Sequence, residues 1–583
     1  MVPAWQSSIE SALAERRWKD AEAEARVAVA QFPNQAAAHF LLGVCLQQRA
    51  DHSTAVEAFR CALQAEPTLL QARQNLALSL RSQGKLDEAE SELRGVLTDA
   101  PSFVLAYAAL GNLLRQRGQA TADERRAARF AEARVLHEAA VNLEPTVPGH
   151  AHNLFLTLAT MEAWDEAALT FLHLAAAHPQ QAHFFDLAAR ALVRIGRFAE
   201  AAEAASHALR LWPGCVDARV SLASAMRESG SAEKAERQLE IACAEAPEHA
   251  VAAFNLAQLR CFRGRWREGL AGLHADRVRQ WATVPPAQWP APSLWQGQAA
   301  PASHLILVAE QGLGDTIQLI RFAALARPRV GRITLAPPLG LPAGRPWLTS
   351  LAQTAAGVDH VLRPGEPMPR AELFAPLFSL PHLCGPEPNR ISAPTRYLHA
   401  APQALQRWSQ ALGPRDGRTR IAIAWQGNPQ YRQDTRRSMP LSTFEPLFEA
   451  KRQGAPIALY SLQKGFGSEQ LAEWHAANAP APVINLAEQL DNGTDSFIDT
   501  AAVLEHMDLL ISSDTSLPHL AAALGRPTWM MLSAVPDWRW EATVPRSPWY
   551  PSMRLFRQKQ MGQWAHPLAQ VMAQLPGFLS RST

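Results

Sequence analysis

The chain has 583 residues, 48% apolar and 19% charged, a globular composition. A formal charge of +2 gives no global reason to expect nucleic acid as a partner. Six scattered cysteines without a Cys-x-x-Cys pair argue against structural zinc, an iron–sulfur cluster or a disulfide framework. No apolar run approaches the roughly 18 residues of a membrane span, and the first residues lack the basic-then-apolar order of a secretory signal. A protein of a reducing, cytoplasmic compartment is expected.

Proline divides the sequence, with nine before residue 276 and thirty-four after it. Seven of the early ones, Pro33, Pro67, Pro101, Pro145, Pro179, Pro213 and Pro247, are spaced by 34 residues except for one gap of 44. Such a period marks a helix–turn–helix array. Twelve residues before each proline stands an alanine: Ala21, Ala55, Ala89, Ala133, Ala167, Ala201 and Ala235. A small residue belongs where two antiparallel helices cross closely, and proline belongs just past a helix end, where it stops propagation. Phe59, Leu93, Phe171 and Leu239 supply the apolar knob on the second helix, and the long gap carries ten extra residues around Gln119 to Ala128. The pattern resembles the tetratricopeptide repeat over roughly residues 2–275, which implies an α-solenoid with a groove for a peptide or protein. Trp18, His137, His173 and His207 are read as packing. Residues 276–302 read as a linker packed on the next domain, with Trp289-Pro290 and Trp295 as its contacts.

From residue 303 short apolar runs alternate with helical spacing. Strands are expected at His304–Ala309, Arg332–Ala336, Val358–Leu362, Glu372–Ala375, Arg420–Trp425, Ile457–Tyr460, Val483–Leu486, Asp508–Ile511 and Thr528–Leu532. These form two Rossmann-like subdomains, 303–415 and 416–583, with ligands at the carboxyl ends of the strands. Three loops there carry chemistry. In Gln311-Gly312-Leu313-Gly314-Asp315 two glycines permit close backbone approach before a helix. No third glycine and no Gly-Lys-Ser/Thr follows, so neither a dinucleotide fingerprint nor a P-loop is present. Asp315 reads either as a helix N-cap or as a reactive carboxylate. The second loop, after Trp425, holds Asn428, Arg432, Arg436 and Arg437, suited to phosphate, and Gln463 and Lys464 end the next strand on the same edge. The third, Asp514-Thr515-Ser516, leads into a helix whose N-terminus attracts a diphosphate.

These segments, with Pro376-Leu-Phe-Ser-Leu-Pro381, Asp499-Thr-Ala-Ala502, Asp514-Thr-Ser-x-x-His-Leu520, Pro536-Asp-Trp-Arg-Trp540 and Ser547-Pro-Trp-Tyr-Pro551, resemble bacterial tetratricopeptide-repeat glycosyltransferases. Their catalytic half is similar to the heptosyltransferase (GT9-like) family of GT-B fold. The resemblance implies Asp315 as general base. It implies a donor site formed by Gln311, Gly312, Gly314, Asn428, Arg432, Arg437, Gln463, Lys464, Asp514, Thr515, Ser516 and His519, with Ser516 where glycine is usual. Lys464 is the candidate donor-side cation, with Arg432 and Arg437 as rivals. The same layout looks like protein O-GlcNAc transferases, whose active-site sequence is absent. With no Asp-x-Asp in 303–583, a metal-independent transferase without cofactor is expected, acting on a nucleotide-sugar and a protein or glycan acceptor. A repeat scaffold with an inactive transferase domain, and a peptide-binding adaptor, are the rival readings.

Overall fold

The computed structural model describes residues 3–120, 123–282, 293–385, 395–431, 433–477 and 483–582. The chain falls into two compact units, Met1–Ser229 and Gly230–Thr583.

The first unit is an array of helices from Ala4–Ala14 to Val216–Glu228. Each second helix stops two residues before its proline, as in Trp18–Gln31 before Pro33 and His52–Ala65 before Pro67. All seven periodic alanines, Ala235 of the second unit included, are fully buried. The crossings are as tight as the spacing demands. A Cβ on Gly43 would meet the Phe59 ring at 2.5 Å. His137 occupies the knob position of the fourth repeat, fully buried against Gly111, with Nδ1 2.9 Å from Thr157 Oγ1. Burial pushes its pKa down to about 4, so it packs as a neutral ring. The ten inserted residues lengthen both helices of that repeat. Val104–Ala120 and Arg126–Leu143 have 17 and 18 residues, against 13 and 14 for Ala36–Gln48 and His52–Ala65. Each gains about one turn, so the antiparallel pair keeps its pairing.

The second unit opens with three more repeat helices, Ala232–Glu245, Ala250–Phe262 and Trp266–Ala282. An eighth repeat thus follows the seven marked by proline. Gly269, 34 residues after Ala235, takes the small-residue position. A Cβ there would meet Cys261 Sγ at 2.3 Å. Residues 276–282, read as linker from sequence, continue the last helix. Trp289-Pro290 lies outside the described residues, and Trp295 is fully buried, its indole donating to Gln298 O at 2.8 Å.

Two parallel sheets follow. The first contains β1 (Ser293–Leu294), β2 (Ala300–Val308), β3 (Val330–Ala336), β4 (His360–Val361) and β5 (Leu373–Pro376) in the order β1-β5-β2-β3-β4. The second contains β6 (Thr419–Ala424), β7 (Ile457–Ser461), β8 (Val483–Asn485), β9 (Leu509–Ser513), β10 (Thr528–Leu532) and β11 (Met553–Arg557) in the order β11-β10-β9-β6-β7-β8. The continuous apolar runs are the fully buried central strands, as parallel pairing with both faces covered requires. In each sheet the first long strand lies inside the order, so neighbouring loops diverge at its carboxyl end and open a crevice there. β1 and β11 escape the sequence reading: one has two residues, and the other carries Arg554 and Arg557, which interrupt its apolar run. The helix expected after the glycine loop begins within it, as Leu313–Leu319, and tightens at Ile320–Phe322. There Arg321 is buried, donating to Trp549 O and to Tyr397 Oη.

Candidate active site

A cleft of about 960 Å³ lies at the carboxyl ends of both sheets. Every expected site residue except Arg432, which lies outside the described residues, lines it: Gln311, Gly312, Gly314, Asp315, Asn428, Arg437, Gln463, Lys464, Asp514, Thr515, Ser516 and His519.

The loop after β2 brings Asp315 to the cleft. Gly312 is the N-cap of Leu313–Leu319, and Asp315 sits three residues into the helix, so it is not the N-cap. Its Oδ2 instead reaches back to accept from the Gly312 N–H at 2.9 Å, the returning half of a capping box. Oδ1 accepts from Arg539 Nη2. Burial raises the Asp315 pKa, outweighing the pull of Arg539 in the other direction. Arg539 is itself held on every side. Its Nε donates to Gln318 Oε1 at 2.8 Å, Nη1 donates to Asp537 Oδ1 at 2.7 Å, and its plane lies over Trp538 at 4.5 Å.

From the second sheet, β9 delivers Asp514 and the N-terminus of Ser516–Ala523, with Thr515 as N-cap. The two helix starts approach closely. A Cβ on Gly314 would stand 3.2 Å from His519 and 3.3 Å from Ser516 Cα. Asp514 accepts from the Trp540 indole at 2.8 Å. Burial, reinforced by Asp537, pushes its pKa up to about 6. His519 shares a 2.8 Å hydrogen bond with Tyr550 Oη and lies against Trp540. Burial holds its pKa well below the usual value, so the ring is neutral.

The donor-side residues of the loops after β6 and β7 divide by how their polar atoms are used. Gln463 is buried, and its side chain shapes the loop. Oε1 accepts from the Trp425 and Gln426 N–H groups, and Nε2 donates to Gln426 O and Phe466 O, at 2.7–2.9 Å. The Gln463 amide, expected at the donor, is thus committed to backbone. Asn428 Oδ1 accepts from Gln430 N at 2.9 Å, an Asx turn. Lys464 Nζ donates to Leu490 O, Asp491 O and Asn492 Oδ1. All three are neutral oxygens, so its charge remains. Arg437 pairs with Asp434 through Nε and lies under Tyr431 at 4.4 Å. Five cations and four carboxylates line the cleft, and Arg539 is the cation bound to two of those carboxylates. Arg437 is offset by Asp434, so Lys464, whose partners are neutral, carries the uncompensated positive charge at the β6–β7 edge.

Sequence reasoning missed Arg539 and Asp537, although their motif was visible, and it missed Phe254, Gln258, Leu273 and Arg277. These four come from the last two repeat helices and also line the cleft. Among the described residues no group of three His, Cys, Asp or Glu is arranged to hold a metal ion, and no helix is long and apolar enough to cross a membrane.

Comparison with known proteins bears on both halves. The tetratricopeptide repeat family matches residues 9–69 and 187–250, and glycosyltransferase family 9 (heptosyltransferase) matches residues 440–557. The second match contains Lys464, Asp514, His519 and Arg539 and stops short of Asp315. Protein FlbA of Caulobacter vibrioides is 26% identical over 450 residues, 73% of this chain and 72% of FlbA. Among solved structures, a thermophilic tetratricopeptide-repeat protein of Thermus thermophilus is 18% identical, covering 38% of this chain and 96% of its own, with a TM-score of 0.25. A tetratricopeptide repeat protein of Parabacteroides merdae is 14% identical, covering 43% and 96%, with a TM-score of 0.32. The chain therefore joins tetratricopeptide repeats to a C-terminal domain of the glycosyltransferase family 9 (heptosyltransferase) kind.

Proposed function

We propose that the protein transfers a sugar from a nucleotide-sugar to an acceptor hydroxyl, in the cytoplasm and without a metal or cofactor, with the repeats recognising the acceptor. One observation carries this reading: a carboxylate from the first sheet and a helix N-terminus from the second meet in one cleft, with Gly314 against His519 and Ser516. The donor diphosphate lies at the start of Ser516–Ala523, where unpaired N–H groups, the helix dipole and the Thr515 and Ser516 hydroxyls favour an anion. Lys464 and Arg437 add positive charge for the leaving diphosphate. The acceptor oxygen attacks the anomeric carbon, the carbon–oxygen bond to the diphosphate breaks, and the acceptor proton passes to Asp315. A carboxylate has about four lone-pair sites. Those that bond Gly312 and Arg539 fix its direction and leave room for that proton, and the raised pKa favours its capture.

A thermal-shift screen of the full chain against UDP-, GDP-, ADP- and CMP-sugars tests the reading. A donor at about 100 times its Kd adds roughly 2.7 kcal/mol, and EDTA leaves the shift intact. A screen with no shift for any donor, or a shift abolished by EDTA and restored by Mn²⁺, would count against it.

A further inference from the structure

We propose that the last repeat supplies the acceptor subsite of this cleft, and that its occupant is an extended polypeptide segment bearing a hydroxyl side chain. The inference rests on Asp315 acting as the transferase base. Phe254 and Gln258 lie one turn apart on Ala250–Phe262, so they share a face of that helix. Both line the cleft that contains Asp315, backed by the buried Leu273 of the following helix.

This wall is fixed relative to the base by continuous contacts. The Trp266 indole donates to Glu541 at 2.7 Å, and the Ala542 N–H donates to Phe262 O at 2.9 Å. The Trp266 ring meets Trp549 and Trp538 edge-on at 5.5 and 6.3 Å. Trp538 stacks under Arg539, and Arg539 bonds Asp315. A residue held at Phe254 and Gln258 is thereby held at a set position from the general base, which is what positioning a reacting hydroxyl requires.

The wall fits an extended polypeptide. A glutamine amide both donates and accepts, matching the N–H and C=O of an extended peptide group, and the half-buried Phe254 offers apolar surface to a neighbouring side chain. The wall is also part of a tetratricopeptide repeat, an architecture that presents such grooves to proteins.

The test uses the full-length protein, radiolabelled donors and a degenerate peptide library with a central Ser or Thr, with neutral oligosaccharides as the competing acceptors. Gln258→Ala, Phe254→Ala and the milder Phe254→Leu are compared with wild type. The ratio of peptide transfer to donor hydrolysis falls about tenfold in the alanine variants, chiefly through KM, the size of a lost contact worth about 1.4 kcal/mol. Phe254→Leu keeps most of it, and a donor-induced thermal shift certifies the fold. Peptide transfer equal to wild type in both alanine variants would overturn the subsite, and wild-type transfer to oligosaccharides but not to peptides would overturn the acceptor class. A wild-type chain that turns over no donor at all would instead defeat the transferase reading, and the subsite with it.

Discussion

Asp315 is pulled in two directions, by burial that favours its protonated form and by Arg539 that favours its charge. Asp315→Asn retains an oxygen for the Gly312 N–H but cannot take a proton. Transfer should fall by about 10²–10⁴-fold. Arg539 keeps Asp537 and Gln318, and burial already disfavours the Asp315 charge, so the melting temperature should barely move. The acid limb of the wild-type pH–rate profile should lie above the ordinary carboxylate range. Equal turnover by the Asn protein would remove Asp315 from the chemistry. Asp514 gives a second test through stability. Its folded pKa of about 6 exceeds the usual 3.8, so the folded state holds a proton that the unfolded chain releases. Stability from this group is full below about pH 3.8 and is lost as pH rises to about 6, by about 3 kcal/mol at 1.36 kcal/mol per unit. Asp514→Asn, which still accepts from Trp540, should melt higher than wild type above pH 6, with the gap closing below pH 4. A constant gap in melting curves across that range would contradict the assignment. Asp315 and Asp514 were legible because each follows an apolar strand and opens a helix. Arg539 was not, since its pairing with Asp315 spans 224 positions and only the folded chain brings them together.

At the scale of elements, the helix pairs depend on small residues that the period marks. Gly43→Ala would drive a methyl group into the Phe59 ring, costing about 1–3 kcal/mol as overpacking does. Adding Phe59→Leu should recover part of that cost. In urea melts the double variant is therefore more stable than the sum of the single effects predicts. Simple additivity would mean the two residues do not share one crossing. This level of the fold was the most readable, because 34-residue spacing repeats the same demand seven times. The eighth repeat was hidden for a physical reason. Its last helix runs on to Ala282 with Trp281 where a proline would stand, and glycine replaces alanine at position 269. The central strands were readable as apolar runs, while β1 is too short and β11 too charged to stand out.

For the molecule as a whole, the second unit begins at Gly230, well before the first strand, and buried contacts account for that. Arg277 is almost wholly buried, pairs with Glu310 at 3.0 Å and lies over Phe378. Glu310 accepts from the Phe378 N–H and the Trp281 indole as well. Arg277→Met leaves a buried carboxylate without its cation and should cost about 3–5 kcal/mol, part of it recovered by Glu310→Gln. Chemical denaturation of the four proteins measures this, and an undiminished Arg277→Met protein would show the pair to be dispensable. Truncation follows the same logic. A fragment 230–583 should bind the donor nucleotide as the full chain does, whereas 303–583, which loses Trp266 and Arg277, should bind it more weakly by calorimetry. Equal affinity of the two fragments would mean the repeat helices leave the donor site unaffected.

The fusion of the last three repeat helices into the second unit also decides where such a chain can be recombined. Repeats ahead of Gly230 are interchangeable cassettes, because a graft that adds or removes whole 34-residue periods returns every buried alanine to its crossing. The helices that carry Phe254, Trp266 and Arg277 travel with the chemistry. A chimera spliced in phase with the period near residue 229, between the two helices of the seventh repeat, would acquire a new array on an unaltered second unit, while one spliced at the compositional boundary near residue 275 would inherit a foreign wall beside Asp315.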